Sequence, residues 1–274
     1  MTIKSFLILY ASSSLLAFAE LAFSFVSPER RCSLVVSRTP TRMRDVSLSA
    51  IREATFGMGC FWEPAESLLK RPGVLATTAG YTGAPANKPP PTYDAVCFGN
   101  DWVEAVRVVY DDEVISYDKL LDDFFQYQKP QYSRQYASII FTNGEAEEKE
   151  ANEWKERNLS AQVDTGNNLS YNIVEIESAS KFYKAEEYHQ RYWEKFRIRA
   201  DIAVLLIAAE SGVFDKIRIG EVLIGDIEFF NFSFGSICGG LFLVGAGWML
   251  LERLIARDVI ELKPGDFTKM ALQE

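Results

Sequence analysis

The sequence predicts an α+β domain built as a two-layer sandwich, followed by a C-terminal transmembrane helix. Three observations lead there. Strand-like and helix-like apolar patterns succeed one another through the middle of the chain, both ends differ from that middle in composition, and residues 229–251 contain no charged side chain over 23 positions. The 274 residues carry a formal net charge of −9. An acidic chain without a basic stripe has no face for phosphates, which excludes nucleic acid as a partner.

The elements follow in order. Residues 54–59 read as a short apolar strand, and 64–70 as a short helix that Pro64 opens, because proline's missing N–H costs nothing in a first turn. Residues 74–81 form a strand ending at Gly80-Tyr81-Thr82-Gly83, and the prolines between 85 and 91 impose an irregular loop. Along 103–110 the pattern alternates, with Val106, Val108 and Tyr110 on one side and Arg107 on the other. Residues 118–128 are an amphipathic helix with Leu120, Leu121, Phe124 and Phe125 on its apolar face. A strand over 136–141, a charged helix over 145–158, a strand over 171–176 and an aromatic-rich helix over 185–196 complete the domain. Strand, helix, strand, strand, helix, strand is the split βαβ, or ferredoxin-like, order: an antiparallel sheet with helices on one face.

The ends suggest addresses and an anchor. Lys4 precedes an apolar run over 6–18 and small residues at 19–24, the layout of a secretory signal. Residues 27–52 hold six arginines against Glu29 and Asp45, a transit-peptide composition. Together they resemble the two-part presequence of plastid proteins in algae with secondary plastids; the alternative is an ordinary secretory signal with a disordered arm. The expected organisation is therefore a presequence over 1–52, a globular domain over 53–199, a linker over 200–228, a single-pass span over 229–251 and a tail over 252–274. Arg253, Arg257, Lys263 and Lys269 bias the tail toward the cytoplasm-like side, with the domain across the membrane. A plastid membrane, thylakoid or envelope, is the expected location.

Chemistry centres on Gly59-Cys60-Phe61-Trp62. A thiol between a glycine and a helix start meets N–H groups that favour its thiolate, the setting of reactive cysteines. The four cysteines, Cys32, Cys60, Cys97 and Cys238, form no C-x-x-C pair, so neither a zinc site nor a disulfide scaffold is suggested. His189 is the sole histidine, which leaves no multi-histidine metal site.

Nine blocks occur in one order. They are Gly59-Cys60-Phe61-Trp62, Pro72-Gly73-Val74, Ala79 to Gly83, Pro91-Thr92-Tyr93, Val103 to Asp111, Ile115-Ser116-Tyr117, Leu120 to Phe125, Gln135 to Ser138 and Ala185 to Gln190. In these blocks the middle domain resembles the A-type peptide methionine sulfoxide reductases, which act on the S epimer. The resemblance implies that Cys60 attacks the sulfoxide sulfur and becomes a sulfenic acid as methionine leaves. Glu104 matches the proton donor, Tyr93 and Tyr136 the tyrosines that hold the sulfoxide oxygen, and Phe61 and Trp62 the pocket for the S-methyl group. Taken without the resemblance, Glu104 reads as a surface acid, Tyr93 and Tyr136 as sheet aromatics, and Phe61 and Trp62 as core.

Departures from the family pattern fall around the site. Gln128-Lys129-Pro130-Gln131 replaces a His-Asp-Pro-Thr stretch, and Tyr132-Ser133-Arg134 shortens a loop that elsewhere carries an active-site aspartate. Asp101-Trp102-Val103 stands for a longer Thr-Gly-His-Ala. No cysteine lies between Cys97 and the apolar run, where relatives place resolving cysteines. Cys97 is the one internal candidate, though a buried inert thiol is the commoner case, and the expectation is a one-cysteine cycle reset by thioredoxin or by glutathione with glutaredoxin, with no bound cofactor. The substrates implied are oxidised methionines, free or in proteins, repaired from a membrane. The alternative is an impaired reductase fold serving as a membrane-anchored binding module.

Overall fold

The structure is a computed structural model that describes residues 50–161, 173–219, 222–224, 227–229 and 232–272. The presequence read over 1–52 lies outside the described residues except for its last three, and β1 (Ile51–Met58) already begins within it. Five further strands follow: β2 (Val74–Thr82), β3 (Val103–Asp111), β4 (Ser138–Thr142), β5 (Glu175–Ser178) and β6 (Phe182–Lys184). They lie side by side as β6-β2-β3-β1-β4-β5, every neighbouring pair antiparallel except β4 with β5. The crossover from β1 to β2 passes over β3, and that from β3 to β4 passes over β1, so long central strands sit in the middle of an α+β sheet.

Local sequence explains the helices. α1 (Trp62–Leu69) starts two residues before the expected Pro64, which sits inside the first turn where no N–H is required of it. α2 (Tyr93–Phe98) was hidden beside the proline-rich loop; Thr92 caps it by accepting from the Ala95 N–H at 3.2 Å. α3 (Tyr117–Tyr127) is capped by Ser116 and buries Leu120, Leu121, Phe124 and Phe125 as its spacing requires. α4 (Glu145–Ala161) is charged outside and drives one fully buried ring, Trp154, against Phe124 and Phe125. With Phe56, Val106, Val108 and Tyr110 from the sheet these residues form the main core. Each such large side chain contributes about 1.5–3 kcal/mol on burial.

Three expectations change beyond β5. The strand expected over 171–176 begins at Glu175, its first two residues lying outside the described residues. The helix expected over 185–196 is a single 3₁₀ turn, Glu187–His189, then a break at Arg191 in the left-handed region (φ 52°), then α5 (Tyr192–Glu210). The stretch read as a linker thus holds the second half of α5 and the short two-residue strands β7 (Arg218–Ile219) and β8 (Val222–Leu223), while β9 (Glu228–Phe229) and β10 (Phe232–Ser233) fall at the start of the run read as a span; they pair as β7 with β8 and β9 with β10. The apolar run becomes α6 (Phe234–Ile255), which returns antiparallel along α5. Arg199 meets Glu252 at 2.8 Å near one end, and Gly235 and Gly239 lie against Ala209 and Glu210 at the other.

The tail returns to the domain. β11 (Ile260–Leu262) pairs antiparallel with β6 and becomes the edge of the main sheet, and α7 (Asp266–Leu272) packs on β1 and β3. Helices therefore cover both faces of the sheet. The reason lies in β3: Val103 and Ala105 point away from the main core and need a cover, which Ile139, Phe141, Phe182 and Leu262 supply. Arg107, on that same face, is buried; its guanidinium donates to Thr55 Oγ1 and to the Leu262 carbonyl, each at 3.2 Å, and lies 4.2 Å from the Phe182 ring centre. Glu53 accepts from the Gly265 and Thr268 N–H groups, tying the tail to β1.

A tail that merely trailed from the domain would tolerate truncation of its side chains. Phe267 is fully buried, so Phe267→Ala is expected to lower unfolding free energy by about 3–5 kcal/mol, the usual cost of emptying an aromatic site. The shift of the denaturant midpoint in the full-length chain measures it, and a change below about 0.5 kcal/mol would mean the tail lies on the surface.

Candidate active site

The loop between β1 and α1 is set by one glycine. Gly59 has φ +80° and bridges to Lys129, and a Cβ there would lie 2.0 Å from the Lys129 carbonyl oxygen, so no other residue fits. This close approach turns Cys60 out of the strand to a half-buried position just before α1. The Trp62 N–H donates to the sulfur, as expected of a helix start, but burial outweighs it and the nearby Glu104 and Glu63 add to burial, so the thiol is held above its usual value. The thiolate the sequence suggested is therefore not the resting form.

Glu104 is not a surface acid. It sits near the start of β3, 7% exposed, on the strand face toward α1. One carboxylate oxygen accepts from the Phe61 N–H at 3.3 Å and the other from the Gln135 side-chain amide at 2.7 Å. Burial dominates these donors and raises the acid to about 7. Half of the site is thus a carboxylic acid that holds its proton near neutrality.

Tyr136 ends the 3₁₀ turn Arg134–Tyr136 just before β4; burial first, then the charges of Glu104, Cys60, Cys97 and Tyr93, push its phenol up to about 12. Tyr93, first residue of α2, is half exposed and hydrogen-bonds Cys97, which raises its phenol. Both tyrosines stay protonated and can donate. Phe61 is fully buried against Tyr81 and His189, with ring centres 5.8 and 5.2 Å away, while Trp62 remains partly open. The six residues predicted for the site are therefore brought to one cleft.

Other residues in this cleft carried weaker sequence signals. Gln135 stood beside Tyr136 in a quoted block, yet only the fold reveals that its amide grips Glu104. His189 accepts from the Trp62 indole N–H at 2.9 Å through Nδ1; burial drops it to about 4, so it is neutral and fixes the indole. Tyr192 stacks on the other side of Trp62 at 3.7 Å. Gln190 clamps β2 by accepting from the Ala79 N–H and donating to the Ala79 carbonyl, which explains the Tyr-His-Gln block as positioning. The shortened loop is pinned by Arg134, which pairs with Glu177 and donates to the Gly83 carbonyl, leaving Tyr132 fully exposed. Among the described residues no cluster of histidine, cysteine and carboxylates could hold a metal.

Known proteins resemble this chain. The sequence profile described as peptide methionine sulfoxide reductase matches residues 52–211, from β1 to just past α5. The peptide methionine sulfoxide reductase MsrA of Methanosarcina acetivorans is 40% identical over 154 residues, covering 53% of this chain and 79% of that one. That of Methanothermobacter thermautotrophicus is 37% identical over 157 residues, covering 54% and 89%. Among solved structures, reduced Mxr1 of Saccharomyces cerevisiae is similar with a TM-score of 0.46 and 30% identity, over 54% of this chain and 87% of that one. The chain belongs to the peptide methionine sulfoxide reductase family and is a thiol-dependent oxidoreductase.

Proposed function

We propose that the protein reduces the S epimer of methionine sulfoxide at Cys60. The observation that carries this reading is the buried, protonated Glu104 hydrogen-bonded beside the Cys60 loop. Deoxygenation needs a soft nucleophile at sulfur and a proton for oxygen, and one cleft holds both. Cys60 sulfur attacks the sulfoxide sulfur while Glu104 protonates the oxygen and the tyrosine hydroxyls of Tyr93 and Tyr136 donate to it. The oxygen passes to Cys60 as a sulfenic acid, methionine departs, and an external thiol, thioredoxin or glutathione with glutaredoxin, returns the cysteine. Phe61 and Trp62 take the S-methyl group, which favours contact with ring surfaces.

Membrane association is part of the same proposal. α6 is long and apolar enough to cross a bilayer, and Leu241, Leu243, Val244, Trp248, Leu250 and Leu254 are exposed along it. Because β11 rejoins the catalytic sheet a few residues after α6, we read α6, the apolar arm of the α5–α6 hairpin, as the part that meets the membrane, with domain and tail on one side. The presequence supports a plastid destination.

Three measurements test this. With dithiothreitol as reductant the full-length chain is expected to turn over the S epimer of a methionine sulfoxide peptide and not the R epimer, with activity lost in Cys60→Ser; an intact fold without S-epimer turnover overturns the reading. Attack needs the thiolate and donation needs the acid, so the active form is the pair that has lost one proton. Its kcat/KM should rise as pH increases through about 7 and fall only above the raised thiol value. In Glu104→Gln the rate should drop roughly 100-fold or more and the limb near 7 disappear. The folded-state value of Glu104 exceeds its ordinary 4.5, so its contribution to stability is full below that value and is lost as pH rises through about 7. Finally, the chain should float with lipid vesicles, and the exposed pair Leu243→Glu with Leu250→Glu should abolish flotation while leaving turnover intact; flotation unchanged in that variant would remove the hairpin as the anchor.

A further inference from the structure

We propose that Arg253, carried by the last turn of α6 to the mouth of the catalytic cleft, is a specificity-determining residue that binds a carboxylate on the substrate, so that oxidised methionines with a negative charge beside them are preferred. This rests on the reductase reading above and names the class of substrate that site takes.

The placement follows from the packing of α5 and α6. α5 begins at the cleft, where Tyr192 stacks on Trp62 with ring centres 3.7 Å apart. α6 returns antiparallel, and its last turn comes back to the same place. Glu252 pairs with Arg199 at 2.8 Å, Ala256 shares a surface hollow with Lys184, Ala185 and Glu187, and Val259 packs on the main core. Arg253 lies between these fastenings, so its position is set from both sides while its side chain stays exposed. His189, which holds the Trp62 indole, sits on the 3₁₀ turn beside that hollow, with the Tyr93 and Tyr188 ring centres 6.4 and 4.2 Å from its own. All three groups feel the Arg253 charge. It opposes the upward push on Tyr93, which comes first from the bond to Cys97, and that on Tyr188, which comes first from burial, and it adds to burial in lowering His189.

The acids nearest this arginine are already matched. Glu187 meets Lys184 at 3.1 Å and Lys195 at 3.5 Å, and Glu252 is taken by Arg199. Among the described residues no ion pair or side-chain hydrogen bond engages Arg253, and Asp94, beside Tyr93 on α2, does not pair with it. A guanidinium is a planar fork of donors that suits a carboxylate. The substrate can supply one from either of two sources, the side chain of an adjacent aspartate or glutamate, or the α-carboxylate of free or C-terminal methionine sulfoxide. Held at the rim rather than in the pocket, the contact acts on capture of the substrate; it is read in KM, while Cys60 and Glu104 carry the chemical step.

The test compares kcat/KM of the full-length chain, with dithiothreitol as reductant, on matched S-sulfoxide peptides. Amidated peptides carry Asp, Asn or Lys next to the oxidised methionine, and a further pair ends in methionine sulfoxide as the free acid or the amide. At low salt the acidic member is expected to exceed its neutral match by roughly threefold to fivefold, the difference residing in KM and shrinking as salt rises. Discrimination among the amidated peptides assigns an acidic side chain, and discrimination confined to the terminal pair assigns the α-carboxylate. In Arg253→Glu the order should invert, and in Arg253→Lys it should persist; each ratio is taken within one variant, so a change in overall rate does not disturb it. Should Arg253→Glu not fold, Arg253→Gln gives the same reading by bringing the ratio to one. Ratios of one in the unaltered chain, or ratios unchanged by these substitutions, overturn the inference and leave the reductase reading standing. So does an Arg253→Glu chain that keeps its peptide ratios but no longer floats with vesicles of phosphatidylcholine and phosphatidylglycerol, which would assign the residue to lipid headgroups. Absence of turnover on every S-epimer peptide overturns both.

Discussion

Everything in this active site depends on a carboxyl group that the fold keeps out of water. An ionised carboxylate buried without a cation is costly, and among the described residues no arginine or lysine is hydrogen-bonded to Glu104. The protein meets that cost by holding the proton. The Phe61 N–H and the Gln135 amide are neutral donors that orient the two oxygens without neutralising a charge, so they fix direction while burial fixes protonation. Replacing either with a cation would keep the acid in place and remove its usefulness. The same environment raises the Cys60 thiol, so burial favours the protonated form of both groups.

Geometry around that cleft is built by neutral contacts. Gly59 lets the chain turn hard against Lys129, and this places Cys60 and Phe61 so that the thiol and the N–H that binds Glu104 come from consecutive residues. His189 serves as an uncharged acceptor for the Trp62 indole, and Tyr192 closes the other face of that ring. Burial keeps that imidazole uncharged.

The central fold was legible because its determinants are local. β3 shows its alternation, α3 its apolar stripe, and Ser116 its cap, each within a dozen residues. Cys60, Glu104, Tyr93, Tyr136, Phe61 and Trp62 were legible as a set only through the order of sequence blocks, since Glu104 alone is indistinguishable from a surface acid until β3 is known to be buried on both faces. What sequence could not reveal was determined at long range. The cover for Arg107 comes from Leu262, more than 150 residues away, and the three residues of β11 are too short a run to announce a strand. Arg191 ended the expected aromatic helix by entering the left-handed region, which its residue type does not foretell. Likewise α2 was masked by the prolines before it, although Thr92 carried the capping signal.

The return of β11 to the sheet turns the hairpin from an appendage into an insertion, and this sets an order of assembly. During synthesis β1 to β6 emerge first, then α5 and α6, and only afterwards the strand that shields Phe182 and accepts from Arg107. Until then this face of the sheet lacks Leu262, and Arg107 has Thr55 Oγ1 but not the Leu262 carbonyl to donate to. Pairing of β11 with β6 thus has to follow synthesis of the hairpin. A sheet fastened in this way reports on the hairpin, because a chain whose hairpin fails to fold cannot bring β11 home.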